Sequence, residues 1–166
     1  GAGILYVGAN VKISPLCFGG TGSLSESTDM PDIMPDRLEA GTLNVLGIAG
    51  LNQGIGFVIK EDVYSKEKML TDRLYSNLKN MRGIEIYGNN DSNLIGLNIT
   101  DMDNVDVSAR LNDEYSIAVR SGLHCSPLAH RTLGTVSTGL LRISVGYFNT
   151  ISDIDSVCFA LNKIIM

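Results

Sequence analysis

The segment AVRSGLHCSPLAH, at positions 118–130, places a cysteine in a loop beside side chains that could activate it. Cys125 lies between a Ser-Gly pair and a proline, and Arg120, His124 and His130 all lie within five residues of it. Nearby cations favour the thiolate, which is the nucleophilic form of cysteine. The pattern fits a nucleophile and an ordinary loop cysteine about equally well.

The same loop can be interpreted as a metal site, with His124, Cys125 and His130 as ligands. Zinc-binding sequences usually show CxxC or HxxxH spacings, which this segment lacks, and adjacent His and Cys side chains diverge. A metal site is therefore the weaker hypothesis. Cys158 has a different setting, because it lies between two apolar residues of a predicted helix and is expected to pack in the core.

The segment FGGTGSLSES, at positions 18–27, offers consecutive backbone N–H groups and hydroxyls with few bulky side chains. Such loops can bind a phosphate group. The segment lacks the Gly-Lys-Ser/Thr of a P-loop and the dinucleotide fingerprint, so a flexible glycine turn explains it equally well.

Arg142 lies in the predicted strand LLRISVG with the opposite parity to Leu141, Ile143 and Val145. It therefore points away from the core that those three residues form. A guanidinium held on a strand can bind a carboxylate through two hydrogen bonds, but from the sequence alone a structural salt bridge is the favoured interpretation.

The charge and the cysteine content of the chain limit the kinds of partner and the cellular compartment that we expect. The net charge is −5, and no run of Lys or Arg is present, which argues against nucleic-acid and anionic-membrane partners. The three cysteines leave one unpaired if two were bridged, and no signal peptide precedes them. We therefore expect free thiols in the cytoplasm and a small-molecule or protein partner.

Residues 40–59 contain no charged side chain and have about the length of a membrane span. Five glycines, two asparagines and a glutamine make the segment only weakly hydrophobic. A buried helix packed against protein is the preferred interpretation, and a membrane span is the minor alternative. The preceding GAGILYVGANVKI lacks an initiator Met and has the pattern of a strand, so we expect the chain to be a piece of a longer one.

Hydrophobic periodicity predicts two helices in the middle of the chain and one at its end. The first has an apolar stripe and ends at Gly83, the second covers DMDNVDVSARLNDE, and the third has Thr150 as N-cap with Asp153 three residues on. Their predicted apolar residues are Leu70, Leu74, Leu78 and Met81; Val105, Ala109 and Leu111; and Ile154, Val157, Leu161 and Ile164 or Ile165.

Four segments alternate like strands: IEIYG, LIGLNIT, YSIAVRSG and GLLRISVGYF, with Ile117 and Val119 facing the core in the third. From residue 94 onward the predicted order is strand, helix, strand, strand, helix. This order is typical of an α+β fold in which helices cover one face of a mostly antiparallel sheet.

Five motifs in this order resemble the class V aminotransferase family of pyridoxal-phosphate enzymes, in its cysteine desulfurase and selenocysteine lyase branch. They are GAGILYVG, FGGTGS, DRLEAGTLNVLGIAGL, VRSGLHCSPLAH and TGLLRISVGYFNT. The resemblance covers nearly the whole chain and implies the C-terminal part of a fold-type-I enzyme. It implies a remnant of the large cofactor-binding domain at 1–36, an interdomain helix at 37–60 and the small α+β domain at 61–166.

The resemblance also implies roles for individual residues. Cys125 matches the nucleophile that forms a persulfide, Arg142 the anchor of the substrate carboxylate, and Arg120 a second active-site arginine, while His124 and Asn44 match substrate-side positions. The residues Gly20, Thr21 and Gly22 match the loop that reaches the cofactor phosphate of the partner subunit in a homodimer. Glu39, Gly41 and Thr42, near Asn44, match the rim of the site.

The implied reaction removes sulfur from L-cysteine, gives L-alanine and leaves a persulfide on Cys125 for an acceptor protein. The cofactor-binding lysine of the family lies upstream of GILYV, so the segment alone is expected to be inactive. Selenocysteine lyase, aminotransferase and epimerase chemistry remain alternatives within the family. A non-catalytic interaction or dimerisation module is the alternative outside it.

Overall fold

The computed structural model describes all 166 residues, which form two compact units, Gly1–Glu61 and Asp62–Met166. The first unit contains a short 3₁₀ helix, Asp36–Leu38, and one α-helix, α1 (Val45–Lys60). The second unit contains, in order, α2 (Val63–Lys79), β1 (Ile84–Tyr87), β2 (Leu94–Ile99), α3 (Asn104–Tyr115), β3 (Arg120–Gly122), α4 (Pro127–Leu133), β4 (Leu140–Ser144) and α5 (Ile151–Ile165).

The first unit corrects two sequence predictions. The predicted N-terminal strand is absent, and Ile4, Leu5 and Tyr6 are exposed. A strand needs a neighbouring strand to satisfy its backbone groups, and this unit contains none. The helix predicted over residues 40–59 is present as α1 but is not buried, because the unit offers no second α-helix or sheet to cover it. None of the helices has the length and apolar character that a membrane span requires.

The second unit is built on one antiparallel sheet with the strand order β1-β2-β4-β3. Alternation places Ile95, Leu97 and Ile99 of β2 on the same face as Leu141 and Ile143 of β4, and all five are buried. The helices α2, α3 and α5 pack on that face, and their buried residues complete the core. The predicted α+β sandwich is therefore confirmed.

The predicted helices of the second unit are present, but α3 begins at Asn104, three residues after the predicted start, and the predicted strand YSIAVRSG is reduced to β3, because Tyr115 ends α3. The stripe Leu70, Leu74 and Leu78 of α2 is buried, but α2 ends at Lys79, and Gly83 lies in the turn before β1 with a φ of 78°. In α3 the buried apolar residues are Val107 and Leu111, while the predicted Val105 and Ala109 are exposed.

The last helix begins as predicted. The Thr150 hydroxyl accepts a hydrogen bond from the Asp153 N–H (3.3 Å), and the Asp153 carboxylate accepts one from the Thr150 N–H (2.8 Å). This reciprocal pair satisfies donors that a helix N-terminus otherwise leaves free. The predicted apolar stripe of α5 is buried in the core, with Ile165 at its margin.

Candidate active site

The loop that carries Cys125 makes a tight turn after β3. Gly122 has a φ of 101°, and His124 and Cys125 both have positive φ values, 53° and 58°. Two consecutive non-glycine residues in this region are uncommon, because the side chain then approaches the backbone. The Ser126 N–H donates to the Leu123 carbonyl (2.9 Å), which closes the turn and leaves Cys125 exposed.

A close approach of two glycines holds the base of this turn. A Cβ atom at Gly139 would lie 2.8 Å from the Cα atom of Gly122, so no side chain fits at position 139. Gly139 also has a φ of 63°, which suits glycine. The residue that precedes β4 is thereby held against the last residue of β3. The sequence gives no clear signal for this contact.

Pairing of β3 with β4 brings the two candidate arginines together. Arg120 lies directly opposite Arg142, so both side chains share one face of the sheet. The Arg120 guanidinium lies 3.8 Å from the Cys125 sulfur, whereas the buried Nε of Arg142 has no hydrogen-bond partner. Neither arginine takes part in an ion pair. Like charges opposite each other destabilise a sheet, so this arrangement favours a bound anion.

His124 links the loop to β4. Its Nε2 lies 3.1 Å from the Leu140 carbonyl oxygen, and a carbonyl only accepts, so Nε2 carries the proton. The buried Nδ1 then remains a bare acceptor without a partner. Burial lowers the pKa of His124, and the neighbouring Arg142, His130 and Arg120 lower it further, against the opposing effect of the Leu140 hydrogen bond. His124 is therefore neutral at pH 7.

This environment predicts a pH dependence of stability. The unfolded chain protonates His124 near its ordinary pKa of 6.5, whereas the folded chain binds that proton only at lower pH. Since the unfolded state holds more protons in this window, the free energy of unfolding falls as the pH drops below 6.5. We expect His124→Gln to flatten this fall, measured by urea unfolding between pH 5 and 8. An unchanged pH profile in the variant would contradict the neutral, buried imidazole.

His130 has a structural position. It is buried in α4, and its Nδ1 lies 2.8 Å from the Thr135 hydroxyl. Its ring centroid is 5.7 Å from that of His124, so the two rings are neighbours and His130 supports the loop that carries Cys125. No group of three His, Cys, Asp or Glu side chains is arranged to hold a metal ion.

Cys158 lies in the core, as predicted. It is 7% exposed, and burial raises the pKa of its thiol, while its sulfur accepts a weak hydrogen bond from Asn77 (3.6 Å). We expect iodoacetamide at neutral pH to modify Cys125 at least about tenfold faster than Cys158, because only an accessible thiolate reacts. Mass mapping of the modified peptides measures both rates. Equal, slow modification of the two cysteines would count against a nucleophilic role for Cys125.

The glycine-rich loop lies in the first unit. The Thr21 and Ser23 hydroxyls are 2.8 Å apart, and Gly22 has a φ of 81°. Nothing lies within 4 Å of the Cβ positions at Gly20 and Gly22, so the backbone is open on that side. Gly20 and Thr21 line a cavity of about 650 Å³. Open backbone, two hydroxyls and this space suit a phosphate group.

Asn44 has a helix-capping role in the structure. Its side-chain oxygen accepts a hydrogen bond from the Gly47 N–H (3.0 Å), and its amide donates to the Gly1 carbonyl (3.1 Å). The neighbouring Gly41 N–H donates to the Gly20 carbonyl (2.8 Å), which ties the EAGTLN turn to the glycine-rich loop. This tie was not predicted. A substrate contact of Asn44 remains a prediction.

The structure thus distributes the candidate residues over both units. Cys125, Arg120, Arg142 and His124 are brought together in the second unit. The residues Gly20, Thr21, Gly22 and Asn44 lie in the first. Sequence analysis missed α4, although its proline at the first helical position is a recognised start signal.

Comparison with known proteins identifies the family to which the chain belongs. The pattern that defines the family Aminotransferase class-V matches residues 1–157. A protein named probable cysteine desulfurase from Methanothermobacter thermautotrophicus is 33% identical over 174 residues, covering 99% of this chain and 44% of the relative. The chain therefore spans less than half the length of that curated relative.

Two of the solved structures that resemble the chain are of proteins named cysteine desulfurase. The cysteine desulfurase CsdA from Escherichia coli, in an S-sulfonic acid form, has a TM-score of 0.75 at 29% identity, covering 90% of this chain and 38% of that one. The apo cysteine desulfurase from Thermococcus onnurineus has a TM-score of 0.70 at 28% identity, covering 79% of this chain and 34% of that one.

Proposed function

Because the chain belongs to the class V aminotransferase family, we propose that it is the C-terminal part of a pyridoxal-phosphate-dependent cysteine desulfurase. The observation that carries this proposal is the exposed Cys125 beside a pair of arginines without carboxylate partners. A cysteine that only packs needs neither exposure nor adjacent cations. The relatives named cysteine desulfurase supply the matching chemistry.

The sulfur-removing step uses groups of the second unit. The Cys125 thiolate attacks the sulfur of L-cysteine, an S–S bond forms, and the C–S bond breaks with its electron pair left on carbon. That carbon takes up a proton, and the product is L-alanine with a persulfide on Cys125. The arginine pair is suited to hold the substrate carboxylate, with Arg142 as the anchor and Arg120 beside the thiol. His124 fixes the loop through its hydrogen bond to the Leu140 carbonyl, and its match to a substrate-side position of the family assigns it a place beside the substrate.

The cofactor assignment rests on the glycine-rich loop. Its open backbone and the Thr21 and Ser23 hydroxyls fit a phosphate group. Gly20, Thr21 and Gly22 would hold the phosphate of the cofactor in a partner subunit, which makes the protein a homodimer. When bound, pyridoxal phosphate supplies the electron sink that stabilises negative charge next to the substrate amino group.

The division of the chain follows from the same proposal. Residues 1–36 belong to the large domain, residues 37–60 form the interdomain segment, and residues 61–166 form the small domain. The observed boundary between the compact units lies next to the last of these divisions. Three free cysteines support a reducing, cytoplasmic location, and the persulfide passes to an acceptor protein.

The test is sulfide release from L-cysteine by the cofactor-loaded protein that contains this chain. We expect sulfide in the presence of a reductant and one L-alanine per sulfide. If neither alanine nor sulfide forms, but the cofactor absorbance changes when another amino acid is added, the protein catalyses a different class V reaction. A protein that binds no cofactor would leave only the interaction-module hypothesis. Parallel assays with L-selenocysteine decide between cysteine desulfurase and selenocysteine lyase activity.

A further inference from the structure

The surface next to Cys125 is apolar as well as exposed. The helix α4 begins two residues after the cysteine and buries only His130. Its outer face carries Leu128, which is 71% exposed, and Arg131, three residues on and therefore on the same face. We define the α4 surface as Leu123, Leu128, Arg131, Leu133 and Val136, all of them exposed.

This part of the chain is also distinctly positive. Residues 115–152 contain three arginines and none of the 18 Asp and Glu residues of the chain. The guanidinium groups of Arg142 and Arg120 lie close enough to His124, at the base of the loop, to lower its pKa. A protein with a net charge of −5 therefore presents a positive, partly apolar surface around its exposed thiol.

Sulfur transfer sets a geometric requirement on any protein that receives it. The thiolate of the acceptor attacks the outer sulfur of the Cys125 persulfide, a new S–S bond forms, and the Cys125 thiolate leaves with the electron pair. The acceptor thiol must therefore come into contact with the sulfur on Cys125. Since α4 starts at Pro127, two residues after Cys125, the α4 surface adjoins the segment that a sulfur acceptor must approach.

We propose that the α4 surface docks a sulfur-acceptor protein whose reactive cysteine is flanked by acidic and apolar residues. The proposal rests on the proposed function and specifies the chemistry of the partner. Carboxylates on the acceptor complement the charges of Arg131 and Arg120. They raise the rate at which the two proteins associate, because opposite charges attract the partners toward each other. Apolar side chains cover Leu128 and exclude water from the transferring sulfur.

The test uses thiol exchange, which requires neither cofactor nor L-cysteine. The protein that contains this chain is treated with Ellman's reagent, so that Cys125 carries a thionitrobenzoate group. Three synthetic peptides with one cysteine are then compared: one flanked by Glu and Leu, one with Gln in place of Glu, and one with Lys. Mass mapping of the peptide that contains Cys125 follows the loss of the group. Each rate is divided by the rate of the same peptide with a small-molecule disulfide, which corrects for differences in thiol reactivity.

We expect the acidic peptide to react about tenfold faster than the neutral one at low ionic strength, with the advantage shrinking in salt. Arg131→Glu removes most of this advantage and favours the Lys peptide. The matched control is Arg82→Glu, an equal change of charge at an exposed arginine before β1, at the opposite edge of the sheet from β3. It leaves the order of the peptides unchanged.

A second pair of variants tests the apolar part. Leu128→Gln slows the Leu-containing acidic peptide but not a version in which Leu is replaced by Ser, whereas Val105→Gln, at an exposed site on α3, has no effect. Because Leu128 and Arg131 are exposed, these changes leave the core intact, and far-ultraviolet circular dichroism checks this.

Three results would overturn the proposal. The first is an equal corrected rate for all three peptides, and the second is an equal effect of Arg82→Glu and Arg131→Glu. The third is a change of oligomeric state on Arg131→Glu, seen by sedimentation, which would assign the α4 surface to a contact between copies. Failure of sulfide release from L-cysteine would instead reject the proposed function, since the exchange assay is independent of it.

Discussion

Replacement of Cys125 by serine is expected to reduce sulfide release from L-cysteine to the background rate, while the cofactor absorbance stays unchanged. The serine hydroxyl has nearly the same size as the thiol, so the tight turn at positions 124 and 125 keeps its shape. A hydroxyl is un-ionised at neutral pH and is a poor nucleophile toward sulfur, so the S–S bond does not form. Sulfide release and alanine production are measured together in the holoenzyme.

The matched control is Cys17→Ser, because Cys17 is the other exposed cysteine of the chain. We expect this variant to keep full activity and to acquire a persulfide on Cys125 that mass spectrometry detects. Sulfide release that persists in Cys125→Ser, at a rate close to that of the unmodified protein, would reject Cys125 as the sulfur acceptor. Loss of activity in both variants would indicate a general effect of removing thiols.

Local patterns predicted the second unit well because its elements find their partners within the chain. Alternation identified Leu141 and Ile143 as core residues and placed Arg142 on the opposite face, and the structure agrees. The spacing from Thr150 to Asp153 identified the start of α5, since a capping box depends only on neighbouring residues.

The first unit was predicted less well, and the reason is physical. Periodicity reports that a segment can bury an apolar face, but burial itself needs a second surface. The unit offers none for Leu46 or for Ile4, so α1 is exposed and the N-terminal segment forms no strand. The apolar composition was interpreted correctly as a capacity to pack, whereas the packing itself is not a property of the segment alone.

The candidate site was predicted by residue type and not by arrangement. Sequence spacing placed Arg120 and His124 near Cys125, but only strand pairing sets Arg120 opposite Arg142, which lies 22 residues further along the chain. The left-handed backbone conformation of His124 and Cys125 could not be predicted from the sequence either, because neither residue type requires it. The loop geometry is imposed by contacts with β4, such as the His124 hydrogen bond to the Leu140 carbonyl.

The position of Arg142 favours anion binding over a structural salt bridge. It lies between Gly96 of β2, which has no side chain, and Arg120 of β3, which has the same charge. Its buried Nε lacks a partner, and burial of an unpaired charged donor costs free energy that a bound carboxylate recovers. Two fixed hydrogen bonds from one guanidinium match the geometry of a carboxylate.

Arg142→Gln is therefore expected to lower kcat/KM for L-cysteine by about 10- to 150-fold, which corresponds to the loss of one charge-assisted contact of about 1.5–3 kcal/mol. Arg142→Lys restores charge without the two-point geometry, so it should recover only part of the loss. The control is Arg82→Gln, at an exposed arginine without an ion pair, which should leave kcat/KM unchanged.

Competitive inhibition separates a carboxylate anchor from a merely structural arginine. L-Alanine and L-alaninamide share an amine and a side chain, but only L-alanine carries a carboxylate. For a guanidinium that contacts only that carboxylate, the Arg142 variants should weaken inhibition by L-alanine and leave inhibition by L-alaninamide unchanged. An arginine that acts only through the shape of the sheet would change both inhibition constants together, and this result would transfer the anchoring role to Arg120.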